Sequence, residues 1–335
     1  MSFDWGWNSV RVSILGAGGW GRNHVRTFCA LLGAEAVWVC DPDGERRKEM
    51  DTAYPGVCLA DRPIFEGVDA AVIAAPAALH YALAVEAIDA GLHVLVEKPL
   101  ALSPADALDL VRRADEAGTV LMVDHLLEYH PAVERLKAAI DAGRLGTPLH
   151  VASQRLNLGV VRTEENALWS LAPHDISIIL YLLGEDPFEV AAHGAAYLQP
   201  GIADVAQLTL RFESGVFGRI DASWLDPIKT RRLTVVGDRA MAVFDDVSDE
   251  KLVFHDKRAE ARGDVWTVHR GEASPEPIES GEPLSCVANA FLDAIRTGEA
   301  PRTDGRDGLR VVRVLDAAQR SMDSGGRPVA LEEQR

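Results

Sequence analysis

Short apolar segments alternate with helical segments along the first third of the chain. The segment at 68–75 is continuously apolar, as in a strand that is buried on both faces of a parallel sheet. Strands that alternate with helices at this spacing form βαβ units. The pattern predicts a parallel, doubly wound α/β sheet, with strands at 10–15, 34–40, 68–75, 93–96 and 120–123 and helices at 22–32, 44–53, 80–90 and from Ser103-Pro104 onward.

The second half of the chain follows a different pattern. Longer segments alternate apolar and polar residues, and turn residues such as Glu213-Ser214-Gly215 separate them. This alternation indicates a mainly antiparallel sheet with one buried face. The predicted strands lie at 150–158, 189–197, 205–212, 216–224, 232–236 and 241–244, and the predicted helices at 166–183, 284–296 and 309–322. A segment rich in Pro, Glu, Ser and Gly at 271–283 predicts a mobile loop.

The two patterns predict two domains, at 1–126 and 127–335. The second is an α+β domain with one large, open sheet and helices on one of its faces. The other face must also be covered, and a partner subunit is the usual solution. We therefore expect a homo-oligomer, a dimer or a tetramer, that forms through the C-terminal sheet.

Composition excludes several classes of partner. The formal net charge of −17 argues against a nucleic-acid surface or an anionic membrane surface. No apolar run approaches the roughly 18 residues of a membrane span, and the first ten residues lack the features of a signal peptide. The four cysteines show no CxxC pairing. We expect a reduced, cytoplasmic protein that needs neither structural disulfides nor a metal.

A glycine-rich turn joins the first predicted strand to the first helix. Its glycines fit G-x-G-x-x-G, in which the chain turns tightly, approaches a pyrophosphate and packs the next helix on the sheet. The helix N-terminus then offers N–H groups to the phosphates. A turn of this kind is also common in α/β proteins that bind no dinucleotide. The candidate pyrophosphate site consists of Gly16, Ala17, Gly18, Gly19, Trp20 and Gly21.

Asp41 lies 20 residues after Gly21, where the second predicted strand ends. A carboxylate there accepts hydrogen bonds from both hydroxyls of an adenosine ribose and repels a 2′-phosphate. Asp41-Pro42-Asp43 also suits a turn or a helix N-cap. Together with the glycines, Asp41 favours NAD over NADP.

Lys98 and His174 are the candidate acid–base residues. Lys98 follows the end of a strand, where ligands of open α/β sheets bind, and Pro99 restricts its backbone to extended conformations. A solvated surface lysine is the alternative. His174 lies just before an apolar helical run at 176–183, and a structural role is the alternative for an isolated histidine.

A polar turn between 154 and 166 contributes the candidate substrate ligands. Arginine forks suit phosphates and carboxylates, and asparagine amides suit sugar hydroxyls. A solvated loop explains the same composition. The candidates are Arg155, Asn157, Arg162 and Asn166.

The glycine turn, Glu97-Lys98-Pro99 and the start of a helix at His174-Asp175 together resemble the Gfo/Idh/MocA family (glucose–fructose oxidoreductase, inositol dehydrogenase and rhizopine catabolism) over essentially the whole chain. The resemblance implies an N-terminal Rossmann domain and an α+β domain with a large open sheet. It also implies that Lys98 and His174 are catalytic and that Lys98, Ser170 and His174 contact substrate. The cofactor contacts that it implies are Ala75, Pro76, His80, Glu97, Lys98 and His125.

The chain departs from the family pattern at Ser170, where members often carry an aspartate four residues before the histidine. A hydroxyl stabilises an imidazolium less than a carboxylate does. The expected reaction moves a hydride between NAD and a secondary hydroxyl, at C3 of a nucleotide-linked sugar. The alternatives are a dehydrogenase of free inositol, hexose or sugar phosphate and a non-catalytic dinucleotide sensor.

Overall fold

The computed structural model describes residues 10–331, which form two compact units. The first unit contains the described residues up to Leu126 together with Glu282–Val312. The second contains Leu127–Gly281 together with the described residues from Arg313 onward. The segment Glu282–Val312, which the sequence assigned to the second domain, thus packs with the first unit. The boundary between folding domains at 126/127 stays a prediction.

The first unit contains a six-stranded sheet in the order β3-β2-β1-β4-β5-β6, and every pair of neighbours is parallel. All residues of β1, β4 and β6 are buried, which explains why the sequences of β4 and β6 are continuously apolar and why β1 contains a single polar residue, Ser13. The order reverses direction at β1, as in doubly wound nucleotide-binding folds. The strands are β1 (Val12–Leu15), β2 (Val37–Cys40), β3 (Cys58–Ala60), β4 (Ala70–Ile73), β5 (His93–Val96) and β6 (Leu121–Val123).

Helices of the first unit start and end at the expected signals. Asp43 caps α2 and Ser103 caps α4, and Gly118 in a left-handed conformation ends α4. Short 3₁₀ helices precede β2 and α3. The helices are α1 (Gly21–Leu32), α2 (Gly44–Ala53), α3 (His80–Asp89) and α4 (Pro104–Ala117).

Two later helices complete this unit. α7 (Pro283–Thr297) packs on α1. α8 spans Gly305–Asp323, and its residues up to Val312 belong to the first unit. A Cβ at Gly308 would lie 2.5 Å from Val123 Cγ2, so the glycine allows α8 to approach β6 closely. This contact explains why the segment packs with the first sheet.

The second unit contains a nine-stranded, mainly antiparallel sheet in the order β14-β13-β12-β11-β7-β10-β9-β8-β15, in which β7 and β10 form a parallel pair. Alternate residues of β9 and β10 are buried, as the sequence predicts. The strands are β7 (Pro148–Leu156), β8 (Glu189–Ala195), β9 (Val205–Arg211), β10 (Phe217–Ser223), β11 (Thr230–Gly237), β12 (Met241–Asp245), β13 (Leu252–Arg262), β14 (Val265–Pro275) and β15 (Val329–Ala330).

Two helices cover one face of this sheet. α5 (Pro131–Asp141) packs on β12, and α6 (Ala167–Leu183) packs on β7, β9 and β10. A short 3₁₀ helix, Leu126–Tyr129, precedes α5. Most residues of α6 are buried, so its position is fixed along its length.

Two sequence predictions about this unit are wrong in detail. The predicted loop at 271–283 begins within β14, which continues to Pro275 and pairs with β13. His174 does not lie at a helix start, because α6 begins at Ala167 and contains Pro173 in its interior. Asn166 provides the N-cap by accepting a hydrogen bond from the Trp169 N–H, so the helix starts six residues before the proline.

Candidate functional site

The glycine-rich turn lies at the carboxyl end of β1, where the strand order of the sheet reverses. Gly16 has φ +102°, and a Cβ there would lie 2.7 Å from the Ala74 carbonyl oxygen. A Cβ at Gly21 would lie 1.8 Å from the Gly16 carbonyl oxygen. These two glycines are therefore required by the turn itself and by the packing of α1 against it.

Gly18 differs from its two neighbours in the motif. A Cβ there would meet no described protein atom closer than 4.0 Å, at Arg46 Nη1. No side chain among residues 10–331 caps the N-terminus of α1, which begins three residues later. A Cβ at Gly18 would fill space that the protein leaves open beside this helix N-terminus. The turn therefore fits the pyrophosphate of a dinucleotide.

Asp41 is connected directly to this turn. One carboxylate oxygen accepts a hydrogen bond from the Ala17 N–H at 2.7 Å, and the other accepts one from the Asp43 N–H at 2.8 Å. Each carboxylate oxygen has a second lone pair, so these bonds leave acceptor capacity for ribose hydroxyls. The Arg46 guanidinium lies 3.6 Å from the same carboxylate. Asp41 is only 2% exposed, and it therefore holds the turn in addition to any contact with a ribose.

His80 joins the two loops that follow β4 and β5. Its Nδ1 lies 2.8 Å from the Pro99 carbonyl oxygen, and its Nε2 lies 3.0 Å from the Ala75 carbonyl oxygen. Burial lowers the pKa of His80, although both carbonyl groups oppose this effect. A neutral imidazole donates to one carbonyl group only. His80 is 1% exposed, so its ring stabilises the loop that carries Lys98 and is not accessible to a ligand.

Four other predicted cofactor residues have different surroundings. Pro76 is exposed. Glu97 is 6% exposed and accepts a hydrogen bond from His24. His125 is 1% exposed, and its Nδ1 lies 2.9 Å from an Asp307 carboxylate oxygen. Lys98 is half-buried and lies two residues after the end of β5.

In the second unit, α6 carries His174 and Ser170 on one side of the helix, four residues apart. His174 is half-buried, and its carbonyl oxygen accepts a hydrogen bond from the Ser177 hydroxyl. Pro173 removes one N–H donor from the helix just before His174. The position of the imidazole is therefore fixed by the burial of α6 and not by a helix terminus.

Asp175, the next residue, anchors this turn of α6 to β7. It accepts hydrogen bonds from Ser153 Oγ at 2.6 Å and from Arg155 Nε at 2.7 Å. All three side chains are buried. Arg155 is 7% exposed and its guanidinium is engaged by the carboxylate, so we assign it a structural role in place of a phosphate-binding one.

The remaining candidates for substrate binding differ in accessibility. Both polar atoms of the Asn166 amide are hydrogen-bonded within the second unit. The amide oxygen caps α6, and the amide nitrogen donates to the side chain of Gln319. Asn157 and Arg162 are exposed in the turn that follows β7. The Arg162 guanidinium lies 3.6 Å from a Glu165 carboxylate oxygen. Arg162 is therefore the candidate arginine that remains accessible to an anionic ligand.

The sequence did not indicate His24, Asp124 or Asp175 as members of a site. His24 and Asp124 lie 3.5 Å apart, close to Glu97, although the chain separates them widely. Asp175 could have been found from the apolar run at 176–183, because a carboxylate beside such a helix needs a buried partner.

Comparisons with known proteins identify the family. A model of an oxidoreductase family with an NAD-binding Rossmann fold, GFO/IDH/MocA, matches residues 10–125, and the model of the GFO/IDH/MocA C-terminal domain matches residues 133–243. The chain belongs to the Gfo/Idh/MocA family. The predicted family, fold class and NAD cofactor are thereby confirmed, and the chain is an oxidoreductase.

Named relatives of this Gfo/Idh/MocA protein act on different substrates. The UDP-N-acetylglucosamine 3-dehydrogenase of Acidithiobacillus ferrooxidans is 28% identical over 309 residues, which cover 90% of this chain and 94% of the relative. An inositol 2-dehydrogenase of Saccharopolyspora erythraea is 29% identical over 350 residues, with 97% of each chain covered. The two are similarly distant, so relatedness alone does not choose between a nucleotide sugar and a cyclitol.

Solved structures agree with the fold. A structure of the same Acidithiobacillus ferrooxidans enzyme has a TM-score of 0.81 at 26% identity and covers 94% of this chain and 97% of its own. GenD2 from gentamicin A biosynthesis, solved in complex with NAD, has a TM-score of 0.81 at 25% identity, with 97% of both chains covered. Between residues 10 and 331, no helix has the length and apolar character needed to cross a membrane.

Proposed function

We propose that the chain oxidises a secondary hydroxyl of a sugar or cyclitol to a ketone with NAD, and catalyses the reverse reaction. The position of Lys98 is the main support. It follows β5, and β5 adjoins β4, whose end contacts the glycine-rich turn through Ala74 and Gly16. A cationic side chain at the carboxyl end of this sheet is suited to a substrate oxygen beside the cofactor.

Each candidate residue has a defined chemical role in this proposal. NAD, when bound, accepts or returns the hydride. The Lys98 ammonium donates a hydrogen bond to the reacting oxygen and stabilises the negative charge that develops on it. The His174 imidazole takes the hydroxyl proton as a general base, so the alcohol loses one hydride and one proton.

Two features of α6 support the role of His174. The pair formed by Asp175 and Arg155 fixes the helix turn that bears the imidazole. Ser170, four residues before His174, supplies a neutral hydroxyl in place of the carboxylate that many family members carry there. The imidazolium that forms at His174 therefore receives less electrostatic stabilisation.

For the substrate, we propose a nucleotide-linked sugar that is oxidised at C3. The similarity to a UDP-N-acetylglucosamine 3-dehydrogenase supports this choice. Since Arg155 is paired internally, recognition of a diphosphate relies on Arg162 in the exposed turn. The second candidate is free inositol, which the similarity to an inositol 2-dehydrogenase supports.

The test combines a substrate panel with one substitution. Purified protein is incubated with NAD and with UDP-sugars, free hexoses, sugar phosphates or inositols, and the absorbance of the reduced cofactor is followed. Lys98→Ala is expected to lower kcat by about 10² to 10⁴-fold, the usual contribution of a positioned acid–base group, and to leave NAD binding intact by calorimetry. Lys137→Ala, which removes a surface pair with Asp141, is the control.

The outcomes separate the alternatives. Turnover of a UDP-sugar supports the finer proposal, and turnover of inositol alone replaces it with the second candidate. Normal turnover by Lys98→Ala would refute the role of the lysine. Binding of NAD without turnover of any compound would identify a dinucleotide sensor and would refute catalysis.

A further inference from the structure

Three buried titratable side chains that the proposed reaction does not use lie close together, and one of them, Glu97, directly precedes Lys98. His24 comes from the first turn of α1, Glu97 from the end of β5 and Asp124 from the end of β6. Their exposed fractions are 0%, 6% and 0%. We call them the buried acid group.

The contacts of the buried acid group are incomplete if both carboxyl groups are ionised. His24 Nε2 lies 3.0 Å from Glu97 Oε1, within hydrogen-bond distance, and 3.5 Å from Asp124 Oδ2. Among residues 10–331, no N–H or O–H donor forms a hydrogen bond to either oxygen of Asp124. An ionised Asp124 would be a buried charge without a donor, which is strongly unfavourable. A proton on Asp124 removes that charge. The protonated carboxyl group then has an O–H that can donate a hydrogen bond to the adjacent Glu97 carboxylate.

The electrostatic balance agrees with this protonation state. Burial raises the pKa of Asp124 to about 8, and the negative charge of Glu97 adds to the effect. Burial also opposes ionisation of Glu97, but the hydrogen bond from His24 and the charges of His24 and Lys98 hold its pKa below the usual value. The same carboxylates hold the pKa of His24 above its usual value against the effect of burial.

Few other charged groups act on the buried acid group. Lys98 acts on both carboxyl groups, and His80 at the start of α3 acts on Glu97. His125, which directly follows Asp124, is instead hydrogen-bonded to Asp307 of α8. Lys98 is therefore a cation whose protonation responds to a change of charge in this group.

We propose that the buried acid group holds one exchangeable proton on Asp124, and that loss of this proton in alkaline solution changes the charge that acts on Lys98. With the proton bound, Asp124 is neutral, and the contact between His24 and the Glu97 carboxylate is kept. When Asp124 ionises, the proton passes to solvent and the charge of the group becomes more negative by one unit. Asp124 is then a positioning residue that acts on the reaction through Lys98.

The kinetic consequence rests on the function proposed above. A negative charge near an ammonium group favours its charged form. Ionisation of Asp124 therefore keeps Lys98 protonated to higher pH and extends the alkaline limb of kcat/KM. One unit charge at roughly 10 Å and an effective dielectric constant of about 20 shifts a pKa by about one unit.

The proton itself can be detected without any substrate, by the infrared C=O stretch of a protonated carboxylic acid. The wild-type protein is expected to show this band at pH 6 and to lose it with a midpoint near pH 8. Asp124→Asn, which has the same shape and cannot ionise, should lack the band. Asp304→Asn is the matched control, because Asp304 also has a raised pKa through burial but lies at the start of α8, where Asn caps a helix equally well.

Several results would overturn the proposal. They are a band that persists in Asp124→Asn, a band that disappears in Asp304→Asn, and a stoichiometric metal ion that wild-type protein binds and Asp124→Asn does not. Glu97→Gln provides a second variant that retains Asp124. Because it removes the neighbouring negative charge, the midpoint of the band should move to lower pH, and an unchanged midpoint would contradict the shared group.

The kinetic arm uses whichever compound of the panel is turned over. The pKa that limits the alkaline limb of kcat/KM should be about one unit lower in Asp124→Asn than in the wild-type protein. An alkaline limb at the same pH in both proteins would refute the effect on Lys98. Absence of turnover with every compound would contradict the proposed function alone, because the infrared titration decides the protonation of Asp124 independently.

Discussion

Alanine substitutions in the glycine-rich turn distinguish the glycines that are required for folding from the glycine that is required for binding NAD. At Gly18, a Cβ would meet no described atom closer than 4.0 Å, and the backbone is not in the left-handed region. At Gly16, φ is +102° and a Cβ would lie 2.7 Å from a backbone carbonyl oxygen. Both substitutions add one methyl group. We expect the one at Gly18 to affect NAD binding and the one at Gly16 to affect the stability of the fold.

The magnitudes follow from these surroundings. Gly18→Ala should stabilise the protein by about 0.4–1 kcal/mol, because alanine restricts the unfolded chain. It should weaken NAD binding by about 3 kcal/mol, or about 10²-fold in Kd, because a Cβ keeps the phosphates from one or two charge-assisted N–H bonds. Gly16→Ala should destabilise the fold by about 3 kcal/mol or more through steric overlap with the backbone and conformational strain.

Thermal unfolding and calorimetric titration with NAD measure the two effects separately. Gly19→Ala is the control for the stability of the folded protein, because a Cβ there meets nothing within 4 Å. Gly18→Ala and Gly19→Ala should unfold at or slightly above the wild-type Tm. Unchanged NAD affinity in Gly18→Ala, or a Tm that falls as far as in Gly16→Ala, would refute the assignment of this open space to the pyrophosphate.

Two further substitutions test the surroundings of the proposed site. Asp175→Asn leaves the Arg155 guanidinium buried without its ionic partner, so we expect a loss of about 3–5 kcal/mol in the free energy of unfolding. Thermal unfolding measures this loss, and Asp141→Asn, which removes an exposed ion pair with Lys137, is the control. A loss below about 1 kcal/mol for Asp175→Asn would contradict a strong buried pair. Asp41→Ala should narrow the preference for NAD over NADP, because it removes the carboxylate that repels a 2′-phosphate. Calorimetric titration with both cofactors measures the ratio, and a wild-type preference for NADP would show that the assignment is wrong.

The sequence predicted those elements whose environment leaves a regular pattern. β4 is buried on both faces and appears as a continuous apolar run, whereas β9 is buried on one face and alternates. The hairpin of β13 and β14 was not predicted. Every residue of β14 except one is exposed, including Trp266 at 70%, so its pairing leaves no apolar period.

The site could be predicted only where its chemistry lies in consecutive residues. The glycine turn and Glu97-Lys98-Pro99 are local signals. The contact between His24 and Glu97 joins residues 73 positions apart, and no local pattern marks either one as a buried partner. Arg155 was interpreted from its charge alone, but its partner Asp175 lies 20 positions further along, on another element.

The first unit consists of two separate stretches of the chain, and this has a consequence for how the protein folds during its synthesis. The Val123 N–H donates to the Thr303 carbonyl oxygen, and the Thr303 hydroxyl donates to the Val123 carbonyl oxygen. During synthesis β6 emerges from the ribosome about 180 residues before that partner, a delay of roughly 9–36 seconds at typical elongation rates. In that interval the nascent Rossmann sheet lacks its last helices. The NAD-binding unit is therefore the first to begin folding and yet depends on residues translated after most of the second unit.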